Sequence, residues 1–198
     1  MKKLLFTTLA AMGLLSFTVN ELPIGSPIPK PEVKMKDISG QEISLQQAKK
    51  KNGLLVMFSC NTCPYVIKNQ KRTAEACSYA AKNDLGVVLI NPNEAQRSDA
   101  DSYEAMKAYA KDQKYNWYYA LDKDSELADA FGANRTPECF LFNKEGKLVY
   151  HGAIDDNPSN EESVTRTHLK AAMDEMLAGK DVSVKTSRSV GCTIKRKS

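Results

Sequence analysis

A chain of 198 residues that is 42% hydrophobic and 26% charged holds enough apolar material for one globular domain with a real core, which excludes a disordered chain. Its formal charge is +4, and removing the first segment, which carries Lys2 and Lys3 and no acid before Glu21, leaves about +2. That surplus is too small to argue for nucleic acid, so partners must be sought in chemistry.

Residues 1–18 begin with Lys2 and Lys3 and continue into an apolar run over 4–17. A positive start followed by an apolar stretch too short for a comfortable membrane span reads as a signal peptide, with Ser16 and Thr18 as small residues at the cleavage positions. The expectation is an exported protein, periplasmic in a Gram-negative host and otherwise extracytoplasmic, with no stable membrane insertion after signal removal. The competing reading is a retained N-terminal anchor. An oxidising compartment lets disulfides persist, and five cysteines leave at least one thiol free or paired outside the chain.

Residues 19–31 form a proline-rich lead-in, with Pro23, Pro27, Pro29 and Pro31, that reads as an extended linker. A compact domain is expected over 32–180, followed by a basic tail over 181–198 that contains Cys192. Short alternating pieces at 33–36 and 43–45 around Ser39-Gly40 suggest a hairpin. The apolar run 54–58 is a strand buried on both faces, and it ends at Cys60-Asn61-Thr62-Cys63. A helical pattern follows directly and runs to about Lys82, with Pro64 tolerated in its first turn. Strand, Cys-x-x-Cys and helix in this order put Cys60 at the lip of a helix N-terminus, where free N–H groups favour a thiolate. The chemistry indicated is thiol-disulfide exchange. Half a zinc site is the alternative, but no second Cys or His pair stands at similar spacing, and His151 and His168 are the only histidines.

Cys77 lies fourteen residues beyond Cys63, about 21 Å along a helix at 1.5 Å per residue, well outside the ~7 Å Cα limit for a disulfide. It reads as a buried small hydrophobe, as does Cys139. The next strand, 87–90, opens into the loop Asn91-Pro92-Asn93, and loops of this kind line sites in open α/β sheets. Helix is expected over 102–113, strand over 116–120 and helix over 125–131 with Gly132 as its cap. The aromatic group Tyr115, Trp117, Tyr118 and Tyr119 reads as core and rim. Arg135-Thr136-Pro137-Glu138 precedes an apolar strand at 139–142, a further strand is expected at 148–150, and a last helix at 162–177 stopped by Gly179.

Cys-Asn-Thr-Cys-Pro-Tyr-Val, Gly-Ala-Asn-Arg-Thr-Pro-Glu, Tyr-His-Gly-Ala-Ile-Asp-Asp-Asn and Gly-Cys-Thr-Ile-Lys, in that order, resemble the redoxin (AhpC/TSA-like) branch of the thioredoxin superfamily over residues 27–195. The resemblance implies an α/β thioredoxin fold, a central mixed sheet flanked by helices, with an N-terminal extension and a C-terminal tail. It also implies Cys60 as attacking thiol, Cys63 as resolving thiol and Pro137 as a cis-proline beside them. Thr136 would then present its backbone to a substrate strand, while Arg135 and Glu138, flanking the proline, either touch substrate or adjust the thiolate, or else support a turn. The sequence departs from thioredoxins in placing Leu54, not an acid, six residues before Cys60. It departs from peroxiredoxins too: no register of Pro-x-x-x-Thr-x-x-Cys fits Cys60 or Cys63.

The expected activity is therefore that of an exported thiol-disulfide oxidoreductase acting on protein disulfides or small thiols with a redox-partner protein, and needing no cofactor and no metal. The alternatives are a thiol-dependent peroxidase and a copper(I)-binding module in which His151, Met57 or Cys192 adds a ligand. Cys192 follows Gly191 in a segment too polar for a core cysteine. Either it is a tail cysteine with no part in turnover, or the tail folds back to bring it near the Cys60/Cys63 pair, or near a partner's thiol, as an auxiliary redox cysteine.

Overall fold

The computed structural model describes residues 21–197; the expected signal segment lies outside them. Met35–Lys36 (β1) and Glu42–Ile43 (β2) pair antiparallel, giving the expected hairpin. Leu45–Ala48 (α1) opens with a capping box: Ser44 Oγ accepts the Gln47 N–H, and the Gln47 side chain accepts the Ser44 N–H. Gly53–Phe58 (β3) is buried at every residue. Two helices follow, Pro64–Lys68 (α2) and Gln70–Lys82 (α3), where the sequence suggested one. Asn69 breaks the run, because its backbone leaves helical geometry and its amide donates to the carbonyls of both Tyr65 and Pro158.

Next come Leu85–Asn91 (β4), Tyr103–Asp112 (α4, capped by Ser102), Tyr118–Leu121 (β5) and Glu126–Phe131 (α5). Helix α5 ends at Gly132 in the left-handed region (φ 66°), a position that suits glycine because it has no Cβ to clash. Arg135–Thr136 (β6), Glu138–Phe142 (β7), Leu148–Gly152 (β8), His168–Leu177 (α6) and Cys192–Thr193 (β9) complete the chain. The last α-helix starts six residues later than the sequence suggested. A single 3-10 turn forms at Glu161–Ser163, and then Asp156 accepts both the N–H and the hydroxyl of Thr165 while its own N–H binds the Arg166 carbonyl, so the residues just before 167 are tied to a loop.

The central sheet has the order β5-β4-β3-β7-β8. Strands β3, β4 and β5 run parallel to one another, while β7 is antiparallel to both β3 and β8. Alternation along β3 sends Leu54, Val56 and Phe58 into one layer and Leu55 and Met57 into the other. The first layer is closed by α1 and α5 around Phe58, Phe131, Phe140 and Phe142, whose rings meet edge to face at 5.1–5.8 Å. The second is closed by α3, α4 and α6. Cys77 and Cys139 lie in this second layer as small hydrophobes, their thiols pushed up by burial and so kept neutral. Tyr115, Trp117 and Tyr119 pack together there, with Tyr118 at the exposed rim.

Both terminal segments are tied to the domain, which corrects the reading of the first as a linker. The lead-in is no free linker: Gly25 donates to the Leu148 carbonyl, Leu148 donates to Ser26, and Ile28 enters the core. The tail is not loose either. Ser187 donates to the His151 carbonyl and its hydroxyl meets both Tyr150 and the Ala153 N–H, so the tail runs beside β8 before forming β9. Among the described residues no helix is long and apolar enough to cross a membrane.

Phe140 contacts Phe58 and Phe131 on one side and His151 on the other. Phe140→Ala is expected to cost about 3–5 kcal/mol of stability, read as a lowered urea midpoint with little change in slope; a loss below about 1 kcal/mol would mean that this layer is not the core.

Candidate active site

The two cysteines sit where β3 leaves the sheet. Ser59 N–H still bonds the Ile90 carbonyl, so the strand's geometry carries up to Cys60, and α2 begins only at Pro64 with Cys63 as its N-cap. This reverses one expectation. The helix end lies at Cys63, not Cys60, and Cys60 is the more buried of the two at 1% exposure against 4%.

The partner surface is the strand β6 and the cis Thr136-Pro137 bond that follows it. Thr136 Oγ1 lies 3.2 Å from Cys60 Sγ, and the Thr136 carbonyl lies 3.3 Å from Cys63 Sγ. Pro137 thus stands beside the pair, as the resemblance implied. Thr136 is buried, and its pairing partner is Cys192: β6 and β9 are antiparallel, with Thr136 opposite Cys192 and Arg135 opposite Thr193. The Cys192 N–H points at Cys63 Sγ, 3.4 Å away. Gly191 passes so close to β6 that a Cβ there would fall 2.1 Å from the Thr136 carbonyl oxygen.

Hydrogen bonds converge on Cys63. The Cys60 thiol donates to it most strongly, followed by the Cys192 thiol and the N–H groups of Val66 and Cys192, and together they hold its pKa well below the ordinary thiol value. Cys60 is pushed up, chiefly because its proton is the one shared with Cys63, then by burial, with the negative charge of Asp101 adding to both. Cys192 rises to about 11 through burial and the adjacent Cys63 charge. All five cysteines are free thiols in this structure.

Glu138 and Arg135 are engaged within the chain. Glu138 is buried; one oxygen accepts the N–H groups of Asn134 and Arg135, and the other lies 2.8 Å from His151 Nε2. His151 is held in turn by stacking on Phe140, 4.3 Å between ring centres. Glu138 thus shapes the loop that carries Thr136. Arg135 is exposed, and its guanidinium reaches the Gly191 carbonyl at 3.4 Å, which places it on the tail.

The sequence reading missed a buried polar group behind the pair. Asp101 accepts the Asn61 N–H at 2.9 Å and the side-chain amides of Asn91 and Asn93, each at 2.8 Å, while the Tyr119 hydroxyl donates to Asn61 Oδ1. Leu54, where a thioredoxin has its acid, is core; Asp101 supplies a buried carboxylate from the loop before α4 instead. Only the N-cap character of the next residue, Ser102, hinted that this loop is ordered. Asp155 and Asn157, also unexplained from sequence, anchor the loop after β8: Arg72 donates to the Asp155 carboxylate at 2.5 Å and to the Asn157 carbonyl, both away from the sulfurs. Among the described residues no group of three or more His, Cys, Asp or Glu side chains is arranged to hold a metal ion.

A mixed sheet with a Cys-x-x-Cys at the end of β3 and a cis-proline facing it defines a thioredoxin-fold dithiol protein. The AhpC/TSA family is matched over residues 24–151, and the chain belongs to that family, a redoxin branch of the thioredoxin superfamily. Two solved structures resemble it over nearly its whole length. A hypothetical protein of Sinorhizobium meliloti 1021 is 36% identical, with a TM-score of 0.82 over 90% of this chain and 97% of that one. An uncharacterized conserved protein of Geobacillus kaustophilus is 33% identical, with a TM-score of 0.83 over 90% and 94%. The thioredoxin domain of a thiol-disulfide oxidoreductase of Bacteroides vulgatus shares the fold at 20% identity, with a TM-score of 0.53 over 66% and 89%. Among curated proteins none matches the chain.

The reduced protein is expected to carry one thiolate at neutral pH. Thiolate absorbance near 240 nm should be lost only as the pH falls well below the ordinary thiol value of about 8.5, and Cys63→Ser should abolish this acidic transition. Cys60→Ala removes the strongest donor and should move the transition upward. Loss of the transition in Cys60→Ala with its retention in Cys63→Ser would return the charge to Cys60.

Proposed function

We propose that this protein is an exported thiol-disulfide oxidoreductase whose Cys60/Cys63 pair cycles between dithiol and disulfide. The observation that carries this reading is the placement of both sulfurs against Thr136 at the cis-proline, with the Cys192 N–H directed at Cys63 Sγ. A thiolate of this kind attacks a sulfur presented to it, a mixed disulfide forms, and the second cysteine of the pair displaces the partner. Electrons pass from the dithiol to a partner disulfide, or the reverse, with direction set by relative potentials.

The surroundings favour disulfide exchange over peroxide reduction. The hydrogen-bond partners of the two sulfurs are Thr136 and the Cys192 N–H, and Cys192 packs against the pair, so the groups within reach are themselves a peptide edge and a third thiol. Protein thiols and disulfides are the substrate class this suggests. Export rests on Lys2, Lys3 and the apolar run after them.

Two measurements test the reading. Equilibration with glutathione buffers should produce a Cys60 to Cys63 disulfide by mass mapping, and either serine variant should lose at least about a hundredfold in reduction of a disulfide-bonded protein such as insulin, since each sulfur is needed for one half of the exchange. Hydrogen peroxide consumption outrunning disulfide turnover would replace this reading with the peroxidase. For export, the mature protein from an expressing bacterium should begin after Thr18; a protein retaining Met1 in the cell would remove that part.

A further inference from the structure

Three sulfurs, not two, meet at this site, and their exposures differ. Cys60 and Cys63 are 1% and 4% exposed, whereas Cys192 is only partly buried. What covers the pair is the tail itself. It is fixed on both sides of Cys192: upstream by Ser187 against His151, Tyr150 and Ala153, and downstream by Ile194, which is buried in the core and donates to the Asn134 carbonyl. Beyond that, Lys195 donates to Asn93 and accepts from Ala95, and Arg196 pairs with Asp129 at 2.7 Å. A strap held at so many points does not lift easily, yet a partner must exchange electrons with the sulfurs beneath it.

The seat is fitted to this segment. The residue opposite the Thr136 carbonyl must lack a Cβ, and Gly191 meets that condition, which places the next residue's N–H on Cys63 Sγ. A general peptide-docking edge would accept any side chain there. The arrangement is that of a bound substrate strand carrying its cysteine, except that the strand belongs to the same chain.

We propose, on the basis of the dithiol reading above, that Cys192 is a third redox thiol of the site, relaying exchange between the covered Cys60/Cys63 pair and thiols outside. Starting from the oxidised pair, the Cys192 thiol gives up its proton to water and attacks Cys63 Sγ. The Cys192–Cys63 bond forms, the Cys60–Cys63 bond breaks, and Cys60 leaves as a thiolate beside Thr136 Oγ1, then takes up a proton. An external thiol next attacks Cys192 Sγ and Cys63 leaves as a thiolate. A second external thiol attacks the sulfur of the first, which releases the external disulfide and restores the Cys192 thiol. Two external thiols are oxidised and one protein disulfide is reduced; the reverse order oxidises the protein.

The test uses the full-length mature chain. Oxidised glutathione added to Cys60→Ser should give a Cys63 to Cys192 disulfide as the main product by mass mapping, and Gly191→Ala in that background should reduce its yield several-fold by pushing β9 off β6. A stable glutathione adduct on Cys63 with Cys192 still alkylatable would overturn the relay. In the otherwise unaltered chain, reduction of the oxidised pair by glutathione should slow about tenfold in Cys192→Ser, because attack must then come through the closed strap. An equal or faster rate in Cys192→Ser would make the tail a cover and not a relay. If the Cys60 to Cys63 disulfide does not form at all in the unaltered chain, the dithiol reading itself fails, an outcome separate from a Cys192 that takes no part.

Discussion

The site depends on one buried carboxylate. Glu138 opens β7 at the point where the chain leaves the cis-proline, and it is removed from water with its charge matched by two backbone N–H groups and His151. Burying an acid without such partners costs several kcal/mol, so the partners are obligatory. Satisfying them fixes the Asn134-Arg135 backbone, and with it the edge on which Thr136 faces the sulfurs. His151 transmits the constraint outward, because its own backbone N–H and carbonyl bind Lys185 and Ser187 of the tail. One side chain therefore sets both walls of the cleft.

Opposite this wall, the buried polar group around Asp101 stabilises the turn between the cysteines. Asn61 is held through its N–H, its amide and its carbonyl oxygen, by Asp101, Ala100 and Tyr119 respectively. The Cys-x-x-Cys turn is thus clamped before α2 begins, and Cys63 is placed where helix donors reach it. Asn93 belongs to the same network and also receives the Lys195 N–H, so the far end of the tail reports on the loop after β4. Networks that are satisfied in full are rigid.

The fold was readable because residues 54–58 of β3 and 139–142 of β7 are unbroken apolar runs and the turn residues between elements are strong; two strands buried on both faces leave few other arrangements for the chain. The pair of cysteines and the core role of Cys77 and Cys139 follow from local pattern in the same way, whereas the cis geometry at Pro137 was implied only by the family resemblance. The division of labour between Cys60 and Cys63 did not, because the distance from a helix end to a sulfur turns on where the helix starts, and Pro64 and the Asn61 contacts move that start past Cys60. Arg135 and Glu138 were read as substrate contacts because flanking position is all that sequence offers; their partners, Gly191 and His151, come from elsewhere in the chain. Asp101 looked like any acid in a polar loop. Long-range partners decide these assignments, and a linear pattern does not contain them.

The strap closes on long-range contacts: residue 192 bonds residue 63, 194 bonds 134 and 195 bonds 93. Chains emerge from their N-terminal end, whether from the ribosome or across a membrane, and earlier segments can pack while later ones are still missing. The sheet, the cis-proline edge and both cysteines of the pair are complete by residue 152, some forty residues before β9 exists. Until then the segment that covers the pair, like helix α6 over the second layer, has yet to join the domain. The newborn protein therefore offers its sulfurs to the surroundings in a way the finished one does not, and the redox state in which it is first sealed is a matter of biosynthetic timing.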